Sequence, residues 1–171
     1  MITVPWACDP DFHRKLDCEK RYKVTFIGTA YSERRSIVRK LGNVNVFGNY
    51  WFGFGEFSHP AAFGEDYVRI INQSMVNLNI QGRGSITADS PTMRTFEIAS
   101  SGGFQVSDFM PSVIRYFPMM VTFRDVNELK ELIHFYSNSI EDAKIIAEKV
   151  RRIAVENFKY TDVAHLIVDN M

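Results

Sequence analysis

Arg94 and Glu97 stand three residues apart in the stretch "RTFEIASSGGFQVSD", residues 94–108. On a helix that spacing puts a guanidinium and a carboxylate on neighbouring positions of one face. A carboxylate can accept two hydroxyl hydrogen bonds, as a vicinal diol offers, while arginine suits phosphate oxygens. The same spacing also suits a solvated ion pair contributing roughly 0.2–0.5 kcal/mol. Just upstream, "GRGSITADSP" reads as a loop in which Gly82 and Gly84 let the backbone approach a ligand, with Arg83 between them. Asp89 or Ser90 would cap the next helix, with Pro91 in its first position. The N-terminal amides of such a helix favour an anion.

A second group lies in "GTAYSERR", residues 28–35. Gly28 ends an apolar run and frees the backbone, and Thr29, Ser32, Arg34 and Arg35 could meet a phosphate. Neither the dinucleotide fingerprint Gly-x-Gly-x-x-Gly nor the phosphate-loop Gly-Lys-Ser/Thr follows that run, so a solvated first helical turn fits equally well. His13, His59, His134 and His165 have no metal-ligand spacing. The aromatic cluster "FGNYWFGFGEF" could stack on a ring, or simply pack a loop. Ser-His-Asp order and a nucleophile elbow are both absent.

The elements that must carry these residues alternate. "YKVTFIGT" reads as a strand ending at Gly28, "SERRSIVRKL" as a helix capped by Ser32, and "VNVFGN" as a strand ending at Gly48. Residues 50–63 have room for a further short strand. "EDYVRIINQS" places Tyr67, Ile70 and Ile71 on one helical face; "MVNLNIQ" follows as a strand. "TMRTFEIASS" reads as a helix, then "FQVSD" and "MMVTF" as strands separated by a short helix in "PSVIRYF". The last fifty or so residues keep the 3.6 period through Leu129, Leu132, Ile133 and Tyr136, then Ile146, Val150 and Ile153. Short apolar strands alternating with helices predict an α/β fold: a Rossmann-like doubly wound parallel sheet with helices on both faces and a helical C-terminal tail. Ligands of such sheets bind beyond the strands' carboxyl ends, where strand order reverses.

Length and composition agree. The chain has 171 residues, 46% hydrophobic and 23% charged, with 20 basic and 20 acidic residues and a net charge of zero. That balance argues against sequence-independent nucleic-acid binding. Cys8 and Cys18 are too few for a disulfide framework. No apolar run reaches the ~20 residues of a membrane span, and "MITVPWACDP" lacks the make-up of a signal peptide. The chain therefore reads as cytoplasmic. Residues 1–20, with Pro5 and Pro10, read as a linker or arm; residues 21–171 read as one domain.

With the residues in place, "RTFEIASSGGFQVSD" resembles the glutamate segment of the nucleotide-sugar-binding half of GT-B glycosyltransferases. The order of Glu97, Ala99, Gly102 and Val106 carries the likeness. Arg94, Phe96, Glu97, Gly102 and Gly103 match the pattern of the spore-maturation-protein-like group. "PWACDPDFH" resembles the segment leading in from the preceding domain, "YKVTFIGTAYSERR" the first strand with its arginine-bearing helix, and "IINQSMVNLNI" the helix and strand before the glutamate. The residues from "VTFRDVNEL" onward resemble the tail helices.

This resemblance implies roles. Glu97 would bind the ribose hydroxyls of a UDP- or GDP-type sugar donor. Arg34, Arg35 and Arg94 would meet its diphosphate, with Gly28, Thr29, Arg83, Gly102 and Gly103 in the same donor site. Retaining relatives carry a sugar-contacting glutamate eight positions before the ribose-binding one; Asp89 stands there, one methylene shorter. Neither a cofactor nor a metal is expected, since basic groups and helix ends would neutralise the leaving diphosphate. The chain is too short for both domains of such an enzyme. It reads as a C-terminal half needing an N-terminal acceptor domain or a partner chain. The alternative is a non-catalytic interaction or regulatory module.

Overall fold

A computed structural model describes residues 5–169. Its sheet is built from β1 (Tyr22–Ile27), β2 (Asn45–Phe47), β3 (Ser58–His59), β4 (Ser74–Asn79), β5 (Gln105–Asp108) and β6 (Val121–Phe123). All neighbours pair in parallel, in the order β3-β2-β1-β4-β5-β6. The helices are α1 (Ser32–Leu41), α2 (Gly64–Gln73), α3 (Arg83–Thr87), α4 (Met93–Ser100), α5 (Pro111–Tyr116), α6 (Val126–Asn138), α7 (Ile140–Asn157) and α8 (Tyr160–Val168). The expected Rossmann-like α/β sheet is therefore present. Strand order reverses between β1 and β4, which opens a crevice at their carboxyl ends.

Alternation along the strands sorts the two faces. Val24 and Phe26 of β1 pack with Val76 and Leu78 of β4 against Val38 of α1 and Leu129 of α6. On the other face Ile27 and Phe47 meet Ile70 and Ile71 of α2 and Ile98 of α4. Phe96 and Ala99 of α4 also bury against α5 and against Val150 and Ala154 of α7.

That second face holds an unusual amount of buried polarity. Asn77 and Asn79 of β4 point to it, and Gln81 continues the alternation. Asn79 Nδ2 donates to Thr95 Oγ1 at 2.9 Å and Gln105 Oε1 at 3.1 Å. Gln81 Nε2 donates to Thr95 Oγ1 at 3.0 Å, while its Oε1 accepts from Thr92 N at 3.2 Å. This network pins the start of α4 to the sheet.

Local boundaries depart from the sequence reading in three places. Tyr31, not Ser32, occupies the cap position of α1. The stretch from Gly82 to Pro91, expected as loop, contains α3. The next helix starts at Met93 after Thr92, rather than at Pro91. Asp89 cannot cap it: its φ is +47° and its carboxylate accepts from Ser112 N at 2.9 Å, at the start of α5. Of the segment read as a linker or arm, residues 1–4 lie outside the described residues, and the part that follows packs against the domain. Ala7, Cys8 and His13 are buried. Cys8 N donates to Phe158 O and Tyr160 N to Cys8 O, while Leu16 N donates to Asn72 Oδ1 of α2.

Candidate functional site

At the crevice lies an open cavity of about 440 Å³. The ends of β1 and β2 form its floor. Gly48 carries φ +155°, and a Cβ there would stand 2.2 Å from Gly28 O, so the two strand ends can meet only through glycine. Gly28 N donates to Phe47 O at 2.8 Å and Trp51 Nε1 to Gly28 O at 2.8 Å. Together these bonds rigidify the turn that presents Gly28 and Thr29 to the cavity.

Two arginines stand at this end. Arg34, on the inward face of α1, donates from Nε to Ile80 O at 3.0 Å and from Nη1 to Thr29 O at 3.3 Å. It is buried, and desolvation followed by the charge of Arg94 pulls its pKa down. Arg94 reaches across from α4; a Cβ on Gly28 would sit 3.0 Å from its Nη2. Both guanidinium groups lie over Phe26, at 5.3 and 5.7 Å from the ring centroid. Among the described residues neither pairs with a carboxylate, and Arg94 Nε is buried without a hydrogen-bond partner. Two adjacent guanidinium groups without a direct carboxylate contact, beside a glycine turn, make an anion site.

One turn along α4, Glu97 supplies the opposite charge to the same cavity. Tyr67 of α2 donates its hydroxyl to Glu97 Oε2 at 2.8 Å. Burial and the Glu97 charge push the Tyr67 phenol well above its usual pKa, so it stays a donor at physiological pH. The imidazole of His13 stands 3.6 Å from Glu97 Oε1. The cavity thus has a cationic end, a carboxylate end, and apolar walls from Ile27, Phe47 and Phe63. A ligand carrying hydroxyls next to a phosphate fits this division.

Of the sequence-predicted residues, Gly28, Thr29, Arg34, Arg94 and Glu97 come together. The others lie outside the cavity. Arg35 faces away and donates from Nη2 to Phe52 O at 3.1 Å; successive helical residues point about 100° apart, so only one of Arg34 and Arg35 can face the sheet. Arg83 pairs with Glu33 on the surface at 2.9 Å. Asp89 is engaged at α5, as described. The glycine pair serves the helix: Gly102 N donates to Ala99 O and Gly103 N to Ile98 O, with Gly102 at φ +70°. This is a Schellman stop. A Cβ on Gly103 would meet Ile71 Cγ2 at 2.5 Å.

Sequence reasoning missed His13 and the polar role of Tyr67. For Tyr67 the signal was visible as a hydroxyl-bearing residue at the edge of an apolar helical face. For His13 it lay in "CDPDFH", a turn-forming stretch: Asp11 N donates to Asp9 Oδ1 at 3.0 Å.

Comparison with known proteins now bears on this geometry. The profile of a family described as "Glycosyl transferase-like" matches residues 13–169. The chain belongs to that family. No curated protein matches it in sequence. Similar solved structures include AviGT4, a glycosyltransferase involved in avilamycin A biosynthesis, with 15% identity, a TM-score of 0.65, and coverage of 98% of this chain and 56% of that one. Sucrose-phosphate synthase from Thermosynechococcus elongatus gives 9% identity, a TM-score of 0.68, and coverage of 98% and 51%. The T4 phage protein BGT, solved with its UDP-glucose substrate, gives 16% identity, a TM-score of 0.62, and coverage of 92% and 49%. At these identities the likeness is one of fold. The chain spans about half the length of each of these proteins. No helix among the described residues is long and apolar enough to cross a membrane.

Proposed function

We propose that this glycosyl transferase-like chain is the donor-binding half of a GT-B glycosyltransferase, the C-terminal domain of a member of the spore-maturation-protein-like group. Its donor is a UDP- or GDP-type sugar. Glu97 accepts the ribose hydroxyls. Arg94 and Arg34, with the Gly28–Thr29 turn, hold the diphosphate. As the bond between the sugar's anomeric carbon and the diphosphate oxygen breaks, these cations stabilise the charge left on the diphosphate, so the reaction needs no metal of the protein's own. Acceptor binding falls to an N-terminal domain or a partner chain, in the cytoplasm. This half alone binds donor with little transfer. The T4 phage relative, solved with UDP-glucose, supports the choice of donor class.

The observation that carries this reading is the juxtaposition of Glu97 with Arg94 and Arg34 in one cavity at the switch point. Its test is thermal unfolding in the presence of UDP, GDP and their sugars. A ligand at about 100 times its Kd stabilises by about 2.7 kcal/mol, a rise in Tm on the order of 5–10 °C for a domain of this size. A flat response to every common nucleotide overturns the proposal.

A further inference from the structure

His13 is buried, 7% exposed, in the wall of the cavity, and nothing in the donor-binding reading gives it a task. Its backbone is fixed twice: His13 N donates to Asp9 O at 2.6 Å, and Ser100 Oγ donates to His13 O at 2.7 Å. Its ring is wedged edge-on between Phe12 and Tyr67, with centroids at 5.0 and 6.4 Å. Ring position is therefore set before any ligand arrives.

Its tautomer is set as well. Asp9 N lies 3.2 Å from His13 Nδ1. A backbone amide can only donate, so Nδ1 must be the unprotonated acceptor, and the ring proton sits on Nε2. Nε2 faces Glu97 Oε1 at 3.6 Å, too far for a direct hydrogen bond. A ligand hydroxyl resting against both atoms from the cavity side, off the line that joins them, can reach each at hydrogen-bond distance. Its oxygen would accept from Nε2–H and its proton would go to Oε1. Tyr67 meanwhile donates to the other carboxylate oxygen at 2.8 Å, which leaves Oε1 turned to His13.

We infer that His13 is a ligand-contacting residue: with Glu97 it reads one ribose hydroxyl as acceptor and donor at once, and so selects ribonucleotides over deoxyribonucleotides. The inference rests on the donor-site reading above and extends it to a residue of the N-terminal segment. A site built around a hydroxyl rejects the analogue that lacks it, because buried polar groups are left unpaired.

The experiment is calorimetric titration of the protein with UDP and GDP and with their 2′-deoxy and 3′-deoxy forms, in the wild type, His13→Phe and His13→Gln. Loss of the read hydroxyl should cost the wild type roughly ten- to a hundredfold in affinity. In His13→Phe, which keeps a ring but no donor, that ratio should shrink several-fold. In His13→Gln, whose amide can donate from a similar place, it should largely return. An equal ratio in all three proteins overturns the inference while leaving nucleotide binding intact. Absence of nucleotide binding in the wild type overturns both readings. Independently of any variant or ligand, the ¹⁵N shifts of the wild-type His13 ring should report a protonated Nε2 and bare Nδ1; the opposite tautomer defeats the His13 assignment alone.

Discussion

Replacing Asp108 by asparagine should stabilise this fold at neutral and alkaline pH, and the expected size follows from its surroundings. Asp108 ends β5, and its Oδ2 accepts from Gln81 N at 2.6 Å. Burial raises its pKa from 3.8 to about 6; the Gln81 amide and the charge of Arg34 only partly oppose this. A carboxyl whose folded pKa exceeds its unfolded value binds more protons in the native state between those two values. Stability then falls as pH rises through about 4 to 6, and the loss is complete above about 6. The shift of about 2 units corresponds to about 3 kcal/mol at 1.36 kcal/mol per unit. Partial solvent access trims this to roughly 1–3 kcal/mol. Asparagine keeps an oxygen for the Gln81 amide and removes the charge. Urea unfolding of wild type and Asp108→Asn at pH 8 should differ by that amount in favour of the variant. In a thermal scan this is a gain of roughly 3–10 °C. At pH 4 the two should nearly coincide. A variant less stable at pH 8 would refute the reasoning and would mean that the attraction to Arg34 outweighs desolvation; a difference that ignores pH would refute it too, by showing that the carboxyl titrates alike in the folded and unfolded states.

Other outcomes follow from the same contacts. Gly103→Ala pushes a methyl to 2.5 Å from Ile71 Cγ2 and 2.9 Å from Asn77 Nδ2 and should cost about 1–3 kcal/mol in chemical denaturation, whereas Gly82→Ala, with open space around it, should be nearly neutral. Arg94→Met should weaken UDP or GDP binding by about tenfold or more, while Arg35→Met, outside the cavity, should leave it within about twofold; equal losses would contradict the placement of the anion site. Tyr67→Phe removes the 2.8 Å bond to Glu97 and should raise the nucleotide Kd about fivefold, for roughly 1 kcal/mol; tighter binding would show that the phenol competes with the ligand.

Much of the architecture was legible from period and punctuation alone. Apolar runs of strand length between helical stretches imply a parallel sheet, because only a sheet covered on both faces hides such strands. Gly28 and Gly48 marked strand ends, and the Arg94–Glu97 spacing already set both groups on one side of a helix. These are local matters: backbone freedom, residue period and chain order decide them. What the tertiary structure alone decided is phase and partnership. The rotation of α1 against the sheet chose Arg34 over Arg35 for the cavity, and packing, not composition, sets such a rotation. The polar ladder of Asn79 and Gln81 moved the start of α4 past Pro91, because buried amides take the nearest available partners. Tyr67, Glu97 and His13 converge from α2, α4 and the N-terminal segment. No spacing in the chain encodes that meeting; it exists only once the sheet has brought their elements to a common end.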